Sequence, residues 1–290
     1  MSDAARHPAP GAARSSGRIA QCFESLSRSG ELGLVAYITA GDPSLDASER
    51  IVLAAAEGGA DVIELGVPFS DPVADGPTIQ RASERALRGG TSLAGILDLV
   101  RRLRSRTQVP LVLFTYFNPI LQMGIEKFAD AAAPAGADGV LATDLTPEES
   151  EEYRAILRSR GLDTIFLAAP TSTDARLKVI ASVSSGFLYL ISRTGVTGAR
   201  ESLPEELPEL VRRIRRFTSL PLAVGFGISL PTHVTVLGGI ADAAVVGSAI
   251  VAEVEKAGSP EAAAKAVGDL VARLKAAARV GVSRRSSEPS

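Results

Sequence analysis

A single α/β domain closed as a (β/α)8 TIM barrel, with one extra N-terminal helix, is the fold the sequence predicts. Three observations predict it. Eight short apolar segments recur along the chain, with helical patterns between most of them. Their apolar character is continuous rather than alternating, as in strands buried on both faces of a helix-covered parallel sheet. Eight such units in about 265 residues favour closure into a barrel, with a doubly wound open sheet as the alternative.

Composition permits this and narrows the rest. A chain of 290 residues, 46% hydrophobic, can bury one large core. Its 31 basic and 33 acidic residues leave a net charge of −2, which gives no reason to expect nucleic acid as a partner. Cys22 is the only cysteine, so no disulfide forms within the chain, and a cytoplasmic, reducing setting fits. No apolar run approaches the roughly 18 residues that span a bilayer, and no membrane role is expected. Residues 1–17 carry Pro and Gly but no apolar core, so they read as a disordered tail rather than a secretory signal. Asp3 and the shortness of the stretch argue against a transit peptide. Residues 281–290 read as a second tail, which leaves 18–280 as the barrel domain.

Ile19, Cys22, Phe23 and Leu26 are spaced for an amphipathic helix over Arg18–Ser29, ahead of the barrel. The first strand is 34–39, followed by a GDPS loop and a helix opened by the Asp46/Glu49 capping-box spacing and closed by Gly58 and Gly59. The second strand is 62–65. Beyond an acidic loop, 78–87 and 92–104 read as helices, 109–116 as the third strand and 125–133 as its helix. The fourth strand, 139–142, leads through Asp144 to Thr146, Pro147 and Glu149: a cap, a first-turn proline and a capping-box acid for a helix ending at Gly161. The fifth strand is 164–167, backed by a helix over 174–184 with Gly186 as its stop. A sixth strand at 187–191 precedes a glycine-bearing loop over 193–201 and a helix over 206–216. Strands at 222–224 and 243–246, with His233 in a helix between them, and a closing helix over 260–278 complete the barrel.

Barrel enzymes carry their working residues on the loops after the strands. There the stretch DVIELGVPFSDPVADGP, residues 61–77, stands out. Glu64 is a carboxylate at the end of an otherwise apolar strand, where an ionised acid is costly. Asp75 lies between Ala74 and Gly76 in the loop that follows. Two carboxylates so placed can face each other across a pocket as general acid and general base. The plainer reading pairs Glu64 with a buried arginine and leaves Asp71 and Asp75 to cap turns.

Small residues cluster late in the chain: Thr197 and Gly198, then Gly225, Phe226, Gly227 and Ser229, then Gly247 and Ser248. Barrels grip phosphate with these loops and a helix N-terminus, where glycine lets the anion approach the backbone. Missing residue types narrow the chemistry further. His7 and His233 are the only histidines, one in a tail and one in a helix, so no metal site is expected. None of Lys127, Lys178, Lys256, Lys265 and Lys275 lies at a strand end, which argues against Schiff-base chemistry.

The segments YITAGDP, ELGVPFSDPVADGPTIQ, YFNPI, LYLISRTGVTGAR, GFGIS and VVGSAIV occur in that order. With them, from about Cys22 to Ala278, the chain resembles the tryptophan synthase alpha chain family. The resemblance implies reversible cleavage of indole-3-glycerol phosphate to indole and D-glyceraldehyde 3-phosphate. It implies a partner too, a pyridoxal-phosphate-bearing beta chain that receives the indole within a tetramer of two alpha and two beta chains, and no cofactor or metal in the alpha chain itself. By resemblance Glu64 and Asp75 are the catalytic acids, Tyr189 stands beside the glutamate, and Tyr37, Phe114 and Tyr116 flank the indole. Thr197 falls in a loop that closes over substrate, and Gly198, Gly227, Gly247 and Ser248 hold the phosphate. Pro68, Phe69 and Asp71 fall in the segment that contacts the beta chain. Thr146 departs from the expected proline of DLPPEE but caps the same helix. Two other functions stay open: a stand-alone lyase releasing free indole, and a barrel acting mainly as an allosteric activator of the beta chain, against which the intact acids argue.

Overall fold

The computed structural model describes residues 17–191, 203–225 and 227–283, with side chains as far as Arg279. The expected tails, and the loop holding Thr197 and Gly198, lie outside the described residues. Nine parallel strands form one sheet among the described residues: β1 (Gly33–Thr39), β2 (Val62–Gly66), β3 (Leu111–Thr115), β4 (Gly139–Ala142), β5 (Asp163–Ile165), β6 (Leu167–Ala168), β7 (Leu188–Ile191), β8 (Leu222–Gly225) and β9 (Ala243–Val246). Their order is β5-β4-β3-β2-β1-β9-β8-β7-β6. The sheet thus begins and ends in the two halves of one segment, broken at Phe166, and wraps into an eight-unit barrel with a split fifth strand.

The first six helices are α1 (Arg18–Ser29), α2 (Leu45–Glu57), α3 (Pro77–Arg88), α4 (Leu93–Arg104), α5 (Phe117–Met123) and α6 (Ile125–Ala135). The rest are α7 (Glu151–Ser159), α8 (Asp174–Val183), α9 (Leu207–Arg215), α10 (Pro231–Leu237), α11 (Ser248–Lys256) and α12 (Pro260–Ser283). None of them is long and apolar enough to cross a membrane. Two caps differ from expectation. Ser44, not the Asp46/Glu49 pair, opens α2 by accepting the Ala47 N–H, and Glu49 binds Arg102 and Arg106 instead. Thr146 precedes a 3-10 turn over Pro147–Glu149, and its hydroxyl donates to Glu149 rather than capping a backbone N–H.

Strand alternation sends two sets of side chains apart. Leu34, Ala36, Ile38, Ile63 and Leu65 face outward into the layer covered by helices. Val35, Val62, Val112, Leu141, Ile165 and Phe187 fill the barrel interior, where Ile19, Phe23 and Leu26 of α1 join them. The extra helix therefore plugs the N-terminal end of the barrel and leaves the other end for function.

That N-terminal end is also laced by a recurring bond. Asp61, Asp138 and Asp242 each stand just before a strand and accept a backbone N–H from an adjacent strand's first turn: Leu34 at 2.7 Å, Leu111 at 2.8 Å and Leu222 at 2.6 Å. A cation backs each acid, Lys275 on Asp61, Arg104 and Arg18 on Asp138, and Arg215 on Asp242.

Candidate active site

Glu64 is the inward residue near the C-terminal end of β2, in register with Tyr37 of β1 and Val112 of β3. It is fully buried, and among the described residues neither carboxylate oxygen has a hydrogen-bond partner. Among the described residues no arginine pairs with it, so the plainer reading finds no support there. Burial alone pushes the carboxyl from 4.5 up to about 8, so it holds a proton at neutral pH.

Aromatic rings surround it. Tyr37 meets Phe114 edge-on with centroids 5.2 Å apart, and Phe114 lies 6.3 Å from Tyr189. Burial raises the phenols of Tyr37 and Tyr189 above their ordinary range, and the charges of both Glu64 and Asp75 add to it. The two tyrosines therefore lie in the field of both acids. Close packing explains two glycines here: a Cβ on Gly66 would sit 2.1 Å from the Tyr37 hydroxyl, and one on Gly225 would sit 2.7 Å from that of Tyr189.

Asp75 reaches the mouth from the loop between β2 and α3. Its N–H donates to the Pro72 carbonyl at 3.0 Å, and Gln80 of α3 donates to the Asp75 carbonyl at 2.8 Å. Tyr116, the residue after β3, donates to Asp75 Oδ2 at 3.2 Å, and its ring lies 5.0 Å from that of Phe69. Burial raises Asp75 to about 6, against the lowering effect of the Tyr116 hydrogen bond. The carboxyl is thus largely ionised at neutral pH while Glu64 is not.

Gly247 and Ser248 form the N-terminus of α11, which no side chain caps. Gly247 lies against Tyr37, its ideal Cβ 3.5 Å from the tyrosine Cβ. Gly227 adopts φ 69°, a conformation suited to glycine, and Ser229 carries a buried hydroxyl without a partner among the described residues. His233 is buried in α10, where Nδ1 accepts the Ser229 N–H at 3.4 Å. Asp144, another strand-end acid, accepts the N–H of Phe117 at 2.7 Å, which fixes the start of α5.

Gln80 and Thr39 join the site without having been singled out from the sequence, whereas Ser229 was already named in the small-residue cluster after the seventh strand. Gln80 stands in the DGPTIQ run, but only its backbone partners show what it does. Thr39 carries a buried hydroxyl at the end of the strand that bears Tyr37. Two cavities, about 320 Å³ between α9 and α10 and about 140 Å³ beside Asp144, do not include Glu64.

A parallel barrel with two acids of separated pKa at the C-terminal end of its strands has the layout of an enzyme that moves protons on a bound substrate. Comparison with known proteins narrows this class. A family model for the tryptophan synthase alpha chain matches residues 23–279, and the chain belongs to that family. The tryptophan synthase alpha chain of Solibacter usitatus is 54% identical over 239 residues, covering 82% of this chain and 90% of its own. That of Geotalea uraniireducens is 50% identical, covering 89% and 97%. Among solved structures, tryptophan synthase from Mycobacterium tuberculosis superposes with a TM-score of 0.84 at 37% identity, over 91% of this chain and 98% of that one. A mutant tryptophan synthase alpha-subunit from Pyrococcus furiosus gives 0.77 at 41% identity, over 84% and 97%.

Proposed function

We propose that the barrel cleaves indole-3-glycerol phosphate reversibly to indole and D-glyceraldehyde 3-phosphate, with Glu64 and Asp75 as its catalytic pair. The observation that carries the roles is Glu64, fully buried inside an aromatic collar with no hydrogen-bond partner among the described residues, with Asp75 on the loop that follows its strand; burial raises both carboxyls, Glu64 the further. Glu64 gives its proton to indole C3, and positive charge develops on the ring nitrogen. Asp75 accepts the ring N–H and stabilises that charge. Now ionised, Glu64 takes the proton of the side-chain hydroxyl. The O–H electrons form the aldehyde, the C3–carbon bond breaks, and its electrons return to the ring. Glu64 ends protonated, as it began.

Tyr37, Phe114, Tyr116 and Tyr189 supply the apolar walls for indole. Backbone N–H groups at Gly227, Gly247 and Ser248, with the Ser229 hydroxyl, receive the phosphate, aided by the dipole of α11. Thr197 and Gly198 belong to the same reading as a closing loop and a further phosphate contact. Product indole passes to a beta chain that carries pyridoxal phosphate, within an assembly of two alpha and two beta chains in the cytoplasm. Pro68, Phe69 and Asp71 are the surface for that partner.

Indole release from indole-3-glycerol phosphate, by the purified chain alone and with a tryptophan synthase beta chain added, tests this. Slow release that rises strongly with the beta chain is the expected result. Fast release indifferent to it points to a stand-alone lyase, and none under either condition removes the assignment.

A further inference from the structure

Two helices leave the mouth side by side. α3 starts two residues after Asp75, and α11 starts directly after Gly247. Ile79 and Ala82 of α3 pack with Val251 of α11 in one cluster that includes Tyr37. Farther along, charges tie the pair. Arg81 grips Glu255 of α11 with two nitrogens, at 2.7 and 2.8 Å, and Arg85 reaches the same carboxylate at 2.8 Å. With Nε and Nη2, Arg85 also binds both oxygens of Asp42, at 2.9 and 2.8 Å. Asp42 is 2% exposed and lies in the loop that leaves β1, the strand of Tyr37.

No step of the reaction uses these four residues, yet their arrangement is specific. A planar guanidinium has fixed donor directions, so one arginine bridging two carboxylates sets their separation as a point charge on a flexible stem does not. Helices α3 and α11 present at their other ends the two groups that grip opposite ends of the substrate. A molecule held by its phosphate at one end and its ring N–H at the other tolerates only one spacing, and an error of about 1 Å costs on the order of 100-fold in rate.

We propose that Arg85 is a positioning residue: through Asp42 and Glu255 it fixes the spacing between the phosphate grip at the start of α11 and Asp75, just ahead of α3. This rests on the reading of the site given above. Its consequence is that the advantage the substrate gains from its phosphate depends on a side chain that touches neither phosphate nor indole.

Steady-state cleavage of indole-3-glycerol phosphate and of its dephosphorylated counterpart, indole-3-glycerol, by the full chain and its Arg85→Lys and Glu255→Gln variants tests this, with thermal melting alongside. Lysine keeps the charge but cannot span both carboxylates, and the exposed edge of Glu255 lets its variant fold. In both variants kcat/KM for the phosphorylated substrate falls by about 10-fold or more, mainly in kcat, while that for the dephosphorylated compound holds. The preference for the phosphorylated substrate shrinks accordingly. An equal fall on both substrates, or an unchanged preference in variants that melt early, reduces the network to a structural brace and overturns the proposal. A wild-type chain without any preference overturns the phosphate reading itself, and shows it before a variant is examined.

Discussion

The hydroxyl of Tyr116 lies 3.2 Å from Oδ2 of Asp75 and accepts the N–H of Ala74 at 2.9 Å, so one phenol holds both the acid and the loop that carries it. Its hydrogen bond opposes the burial that raises Asp75 to about 6. Tyr116→Phe removes that opposition, so Asp75 titrates higher. Because the ionised acid is the working form, the acid limb of the kcat/KM profile moves up by about 0.5–1 pH unit, and activity recovers at pH 8. A limb that stays in place contradicts the role.

Glu64 makes stability itself depend on pH. Unfolded, it ionises near 4.5; folded, it keeps its proton up to about 8. Between those values the unfolded chain binds fewer protons, so stability falls as pH rises, by at most about 1.4 kcal/mol per unit from this group. Glu64→Gln deletes that slope. Urea unfolding should show the variant gaining on the native chain from pH 5 to pH 8 and levelling off above; a constant gap means that the carboxyl is not held protonated.

Gly66→Ala places a Cβ 2.1 Å from the Tyr37 hydroxyl and 2.4 Å from Cζ, so the ring must leave its edge-on contact with Phe114. Steady-state kinetics should show kcat/KM lowered on the order of 100-fold. Gly258→Ala, with open space around the new methyl, serves as the silent control. Native kinetics in Gly66→Ala would show that the collar is not a fixed part of the site.

Asp138→Ala acts at the opposite end of the barrel. It orphans the Leu111 N–H and strands Arg104, whose side chain is 12% exposed. A loss of about 3 kcal/mol in unfolding free energy follows, with turnover per folded molecule preserved. Exposed Asp98→Ala, which breaks only a surface pair with Arg101, should leave unfolding nearly unchanged. Equal effects of the two would remove the strand clamp from the account.

The barrel was legible because continuous apolar runs report strands buried on both faces, and Glu64 was legible because a carboxylate inside such a run breaks the pattern. Element ends were less so. Helices α5 and α11 begin within a residue or two of a strand, with no side-chain cap to mark them, and Ser44 outcompeted a capping-box spacing two residues on. The split at Phe166 left no trace in composition, since all of 164–167 is compatible with a strand. Within the site, residue types were visible but partners were not. Arg85 and Glu255 are 170 residues apart, and only the folded chain brings them together.

The most direct test of the central claim is indole-3-glycerol phosphate cleavage by Glu64→Gln and Asp75→Asn beside the wild-type chain, each shown to be folded by its melting curve. Loss of indole formation in both folded variants, by at least about 100-fold, is the result predicted. Either variant turning over at the wild-type rate would contradict the paired-acid mechanism.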